Sequence, residues 1–165
     1  MEYNQALIIA QRVLEELRPH CLRCEIAGSI RRAKPEVKDI EIVAIPKPYN
    51  TGLFADGIAT VVEQWRKVKG ELPCKYTQRI LPEGIKLDLF FAEPGNWGLI
   101  LAIRTGGADY SHNILADRWV KRGYHSIDGY IHKNGVKIET PEEADVFALC
   151  DLPWTLPIYR TVNGQ

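Results

Sequence analysis

Gly28-Ser29-Ile30-Arg31-Arg32, followed seven residues after Arg32 by Asp39-Ile40-Glu41-Ile42-Val43-Ala44-Ile45, is the stretch on which the fold turns. Its second half reads as a strand: β-branched residues dominate, and Pro46-Lys47-Pro48 stops it. Asp39 and Glu41 are two residues apart, so their carboxylates share one face of that strand. Ile40, Ile42, Val43 and Ile45 surround them, which argues for a central position in a sheet. Gly28 ends a preceding strand over 22–27 and lets the backbone approach a ligand closely.

Upstream, Ala6, Leu7, Ile9, Ala10, Val13, Leu14 and Leu17 recur at helical spacing, and Pro19 sets the end of that helix. Downstream, residues 50–56 read as a loop. A helix is expected over about 56–68, carrying Ile58, Val61, Val62 and Trp65. Residues 74–80 and 85–92 form a hairpin about Leu81-Pro82-Glu83-Gly84. Pro94-Gly95-Asn96 breaks the chain and marks a boundary between lobes 1–94 and 95–165. Beyond it come helices over 97–103 and 110–121, then short strands over 124–127, 130–133 and 136–138, the first two joined by Asp128-Gly129. A helix begins at Thr140-Pro141-Glu142-Glu143, with Thr140 as N-cap, and the tail 154–160 is irregular. The expected class is α+β: a mixed sheet flanked by helices, then a small α+β lobe.

Composition removes several function classes. The chain has 165 residues, 45% hydrophobic and 25% charged, which excludes a disordered chain, a collagen repeat and a bare coiled coil. Its best apolar runs, 7–10 and 99–103, fall far short of the ~18 residues that span a bilayer, so no membrane partner is expected. The N-terminus lacks a basic region and a cleavage site, which points to a cytoplasmic location. Twenty-one basic and twenty-one acidic groups cancel, and the two lobes carry +1 and −1. Any nucleic-acid contact must then come from local clustering, with modest, salt-sensitive binding.

The chemistry concentrates on Gly28, Ser29, Arg31, Arg32, Asp39, Glu41 and Asp88, the last within Lys86-Leu87-Asp88-Leu89-Phe90. Asp88 lies in another apolar strand, from which it can reach the face carrying Asp39 and Glu41. Three carboxylates on a semi-buried face repel one another, and at least one pKa must rise. A divalent cation removes that cost, and hard oxygen donors without neighbouring His or Cys favour Mg²⁺ over Zn²⁺. Gly28, Ser29 and Arg32 supply backbone N–H groups, a hydroxyl and a planar fork suited to phosphate oxygens. A D-x-E pair alone is commonplace. An anion site beside a carboxylate site, in this order and spacing, points to phosphoryl or nucleotidyl transfer.

Gly28-Ser29-x-x-Arg32, Asp39-x-Glu41 and a third acid on a later strand resemble the polymerase-beta superfamily of nucleotidyltransferases. Leu101-Ala102-Ile103-Arg104-Thr105-Gly106-Gly107 is similar to the Y-F-T-G-S segment of family X DNA polymerases. Lys121-Arg122-Gly123-Tyr124, Asp128-Gly129-Tyr130 and the Leu-Pro-Trp of 149–157 resemble their thumb. The resemblance covers about residues 4–160, as a minimal palm and thumb. It implies that Asp39, Glu41 and Asp88 are catalytic and bind two Mg²⁺, with Mn²⁺ a substitute, and that Asp88 helps orient a primer 3′-hydroxyl. By the same resemblance Gly28, Ser29 and Arg32 hold the β- and γ-phosphates. Thr105, Gly106 and Gly107 line the sugar side of the incoming nucleotide, and Tyr110, Ser111 and Asn113 open the helix facing the nascent base pair. The implied partners are a dNTP and a primer-template or gapped DNA. The protein would act as a monomer in DNA repair or replication, assisted by other proteins, and release pyrophosphate.

Glu41 stands where family X usually has Asp, and Ile103-Arg104 replaces its aromatic pair. Together with zero net charge, these positions keep two alternatives open. One is a superfamily nucleotidyltransferase acting on RNA, protein or a small molecule. The other is a non-catalytic nucleic-acid-binding subunit.

The remaining candidates read more simply. Cys21 and Cys24 lie three apart on an expected strand, which sends them to opposite faces and predicts separate, reduced structural thiols. Trp65, Trp97, Trp119 and Trp154 read as packing anchors. Lys67, Lys69, Lys75, Arg79 and Lys86 cluster along 65–86, as either a DNA-backbone strip or a solvated face.

Overall fold

The computed structural model describes residues 1–48 and 57–162. The loop expected over 50–56 therefore lies outside the described residues. The chain divides into two compact units, Met1–Ala92 and Glu93–Gln165. The architecture is α+β: a mixed five-stranded sheet with helices in the first unit, and a three-stranded sheet with helices in the second.

In the first unit, helix α1 (Tyr3–Leu17) forms from the expected periodicity. Ala6, Ala10, Val13 and Leu17 make its buried stripe, and a 3₁₀ turn, Arg18–His20, carries Pro19 at its start. Strand β1 (Cys21–Ile26), the single turn α2 (Gly28–Arg31) and strand β2 (Asp39–Pro46) follow. Then come α3 (Ala59–Val62), β3 (Arg66–Lys69), β4 (Tyr76–Ile80) and β5 (Lys86–Phe91). The strand order is β1-β2-β5-β4-β3. β2 and β5 pair in parallel and the other neighbours antiparallel.

Helix α1 packs against one face of this sheet, where Ile40, Ile42, Ala44, Leu87 and Leu89 join the α1 stripe in one apolar core. Each large aliphatic side chain buried there contributes ~1.5–3 kcal/mol. Asp39, Glu41 and Asp88 alternate with these core residues and so occupy the opposite face.

Two expectations for this unit need correction. The helix over about 56–68 shrinks to α3, and Arg66–Lys69 is instead an edge strand paired with β4. Its charged residues Arg66, Lys67 and Lys69, all exposed, blunt that edge. Arg79 cannot belong to a DNA-backbone strip. It is buried on the core side, donating to the Thr77 hydroxyl at 3.0 Å and to the carbonyls of Trp65 and Gly70 at 3.4 Å.

In the second unit, α4 (Trp97–Thr105) precedes a continuous helical stretch made of α5 (Ala108–Tyr110), a π-helical segment (Ser111–Ala116) and α6 (Asp117–Lys121). Strands β6 (His125–Ile127), β7 (Tyr130–Lys133) and β8 (Val136–Ile138) form an antiparallel meander. Asp128-Gly129 and Asn134-Gly135 turn it, all four residues having positive φ, as tight hairpin turns require. The second turn carries the same sequence signal as the first. The cap of helix α7 (Glu143–Leu149) falls two residues later than the expected Thr140. Glu142 is its N-cap, and its N–H donates to the Asp145 carboxylate at 2.8 Å. Thr140 is instead buried in a backbone pairing with Gly95 and Gly98.

Gly98 sits where α4 meets the entry to α7. A Cβ there would fall 2.1 Å from the Glu142 carbonyl oxygen, a backbone atom with no rotamer to yield. Gly98→Ala is expected to cost roughly 1–3 kcal/mol, read as a lowered denaturation midpoint with an unchanged m-value.

Candidate active site

The carboxylate face of the first unit is built by strand parity. Asp39 and Glu41 project from β2. Asp88 on β5 stands in register with Glu41, and Gln78 on β4 in register with Asp88. Sequence parity anticipated the first pair, and the ladder brings the third acid to the same face.

Asp88 is 8% exposed and held firmly. Its Oδ1 accepts from the Tyr76 hydroxyl at 2.5 Å and from Gln78 Nε2 at 2.8 Å. Tyr76 in turn stacks on Phe90, with ring centroids 4.9 Å apart. Two donors on one carboxylate oxygen fix the plane of the group. Tyr76 and Gln78 were missed by sequence reasoning, yet the hairpin turn held the signal. Leu81 N–H donates to the Ile85 carbonyl, and counting back from that pair sets 78 opposite 88.

Asp39 is half-buried. Its carboxyl is raised above the usual carboxylate range, first by burial and then by the Asp88 charge. Arg32 offsets part of this charge. Burial lowers its pKa, while Glu41 and Asp39 both act to raise it, as nearby anions do.

Gly28 has φ +61, and a Cβ there would fall 1.8 Å from Glu41 Oε2. The Glu41 carboxylate thus rests on bare backbone, whose Ala27 N–H also donates to the Glu41 carbonyl at 2.8 Å. Next to it, the Ser29 hydroxyl oxygen is buried without a hydrogen-bond partner. A buried hydroxyl left unpaired costs ~1–3 kcal/mol, which a ligand oxygen would recover. A cavity of about 630 Å³ opens here, in the size range of small-ligand sites. Three cations (Arg32, Lys34, Lys38) meet three carboxylates (Glu36, Asp39, Glu41) around it, with Ser29 in its wall.

Gly28→Ala is expected to lower stability by ~1–2 kcal/mol through the left-handed backbone and to displace Glu41. Thermal denaturation and magnesium-dependent nucleotide binding, measured together, separate the two effects.

Among the described residues, no group of three or more His, Cys, Asp or Glu side chains stands arranged as a metal cage. The donor set nevertheless suits Mg²⁺, which is commonly bound by only one or two carboxylates, with water and phosphate oxygens completing its shell. Asp39, raised by burial and by Asp88, is a group whose ionised form a cation would stabilise.

The other expected nucleotide-binding residues lie in the second unit. Thr105 and Gly106 are buried there, and Ser111 is buried with its hydroxyl donating to the Ile103 carbonyl at 2.8 Å. A Cβ on Gly106 would fall 2.7 Å from that same Ser111 Oγ, so these two residues pack closely. Gly107 is half-buried, its N–H donating to the Arg160 carbonyl, whereas Asn113 is exposed at the π-helical segment. Trp65, Trp97 and Trp119 are buried, and Trp154 is 45% exposed.

No protein-family model matches this chain, and no curated protein matches it. Among the described residues, no helix is long and apolar enough to cross a membrane.

Proposed function

We propose that the first unit is the catalytic palm of a magnesium-dependent nucleotidyltransferase, and that the protein is a minimal family X type DNA polymerase joining dNTPs to a DNA 3′-hydroxyl. The observation that supports this reading best is the shared face of Asp39, Glu41 and Asp88 on adjacent parallel strands, beside the unpartnered Ser29 hydroxyl. Hard-oxygen donors next to an anion-binding hydroxyl are the pairing that phosphoryl chemistry needs.

In this reading Asp39, Glu41 and Asp88 hold Mg²⁺, which when bound supplies Lewis acidity toward phosphate oxygens and the attacking hydroxyl. Asp88, locked through Oδ1 by Tyr76 and Gln78, orients the 3′-hydroxyl. Ser29 Oγ donates to a phosphate oxygen, and Arg32 binds the same triphosphate, its charge balanced in the resting site by Glu41 and Asp39. Gly28 keeps the backbone low enough for Glu41 to lie across it.

The test is extension of gapped, recessed and blunt DNA with Mg²⁺ and dNTPs, followed by pyrophosphate release. Incorporation on at least one substrate is expected, and none on all three overturns the polymerase assignment. Zero net charge and Glu41 favour a second reading, transfer to an RNA, protein or small-molecule acceptor. Labelled NTPs with those acceptors distinguish it. Arg32→Ala is expected to raise the KM for the triphosphate by roughly ten-fold or more while changing kcat less. An unchanged KM would move that role to Arg31.

A further inference from the structure

We propose that Cys21 and Cys24 form a reversible dithiol–disulfide site, oxidised by exchange with a small-molecule disulfide.

The spacing alone predicts opposite faces for these residues, and the register of β1 against β2 overturns it. Cys21 pairs with Pro46, Arg23 with Ile45 and Cys24 with Ala44. Three steps along β1 thus match two along β2, and the extra residue is taken up in a β-bulge between Cys21 and Arg23. Pro46 and Ala44 lie on one face of β2, so their partners Cys21 and Cys24 do as well. Both cysteines accordingly meet the same apolar cluster, Cys21 buried within it and Cys24 half-buried at its border. Leu22, in the bulge, turns out to solvent at 61% exposure.

The two thiols have different characters. Cys24 is pulled below the usual thiol range, chiefly by the hydrogen bond it receives from Cys21, with Arg18 assisting. Cys21 is pushed up, first by that bond and then by burial. The more accessible sulfur is therefore the easier of the two to ionise, an asymmetry that suits an attacking and a resolving thiol. The remaining cysteines lack this arrangement. Cys150 is buried, its S–H donates to the Leu115 carbonyl at 3.4 Å, and burial pushes its pKa up to about 11. Cys74 is half-buried.

The chemistry balances as ordinary exchange. The Cys24 thiolate attacks one sulfur of a disulfide RSSR, forms a mixed disulfide and expels RS⁻, which takes up a proton. Cys21 then loses its proton, attacks Cys24 Sγ and displaces the second RS⁻. Two protein thiols are oxidised to one disulfide while RSSR is reduced to two RSH.

The experiment equilibrates the full chain in glutathione buffers of graded oxidised-to-reduced ratio, quenches in acid, alkylates the remaining thiols and maps the products. Trypsin cuts after Arg23 but not at Arg18-Pro19, so the disulfide appears as peptides 13–23 and 24–31 linked together. The expected result is loss of two hydrogens from the intact mass and that linked pair, reversed by dithiothreitol, with Cys74 and Cys150 still alkylated. Cys21→Ser is expected to stop at a glutathione mixed disulfide on Cys24. Cys24→Ser is expected to slow modification at Cys21 by about ten-fold or more. A stable mixed disulfide on Cys24 with Cys21 still alkylated in the parent chain overturns the proposal. So does a disulfide between copies, or no change across the series.

Discussion

Asp88→Asn is expected to fold as the parent chain does and to lose nucleotidyl transfer by ~10³-fold or more. The substitution keeps an oxygen where Tyr76 and Gln78 donate, so the clamp on position 88 survives. What it removes is one negative charge from the face proposed to hold Mg²⁺. The same change has a signature independent of turnover. Asp88 is one of the two causes that raise the Asp39 pKa, after burial. Removing its charge should bring Asp39 back toward the ordinary range. The sign for stability follows from proton linkage. A carboxyl raised in the folded state favours folding below its unfolded pKa, and that advantage disappears as pH rises through the folded value. The parent chain should therefore gain stability on acidification through the Asp39 window, and Asp88→Asn should gain less. Denaturation midpoints between pH 7 and pH 4 check this. A folded, fully active Asp88→Asn protein would sink the mechanism.

The second large effect concerns Arg160 and Glu143. Arg160 is fully buried, with Nη1 2.5 Å from Glu143 Oε1 and Nη2 3.1 Å from Oε2. Its Nε donates to the Thr155 carbonyl at 2.8 Å. The guanidinium lies 4.9 Å from the Phe147 ring centre and 5.4 Å from that of Trp154, whose Nε1 also donates to Glu143. The irregular tail is therefore pinned to α7 by a two-pronged ion pair inside an aromatic sandwich. Arg160→Leu or Glu143→Leu alone leaves one buried charge uncompensated, and each is expected to cost ~3–5 kcal/mol. In a unit of this size that is a fall in Tm of roughly 15 °C or more. The double variant, which removes both charges, should recover a good part of the loss. Single variants costing under about 1 kcal/mol would show that the pair carries little of the unit's stability.

The candidate site and the dithiol differ in how far the residues alone foretold them. Asp39 and Glu41 share a face because a strand alternates with period two, and no distant contact is needed to know it. Asp88 required a neighbour. Its apolar strand was legible, but its alignment with Glu41 depends on β2 and β5 pairing in parallel across the chain between Pro46 and Lys86. The clamp by Tyr76 and Gln78 went unread, although closing the turn at Leu81 and Ile85 sets Gln78 opposite Asp88.

Local periodicity by itself determined the α1 stripe, the alternation along β2, the hairpin at Pro82-Gly84 and the turn at Asp128-Gly129. These are properties of three or four consecutive residues and their dihedrals. The tertiary structure alone decided the rest. It made an edge strand of Arg66–Lys69, because β4 offered unpaired backbone groups there. It buried Arg79, because carbonyls at Trp65 and Gly70 accept its guanidinium. A bulge that only the β2 register reveals carried Cys21 and Cys24 to one face. It also joined Arg160 to Glu143 across seventeen residues. In each case the deciding partner is remote in sequence, and hydrogen bonds and charges buried away from water must find that partner wherever the fold has put it.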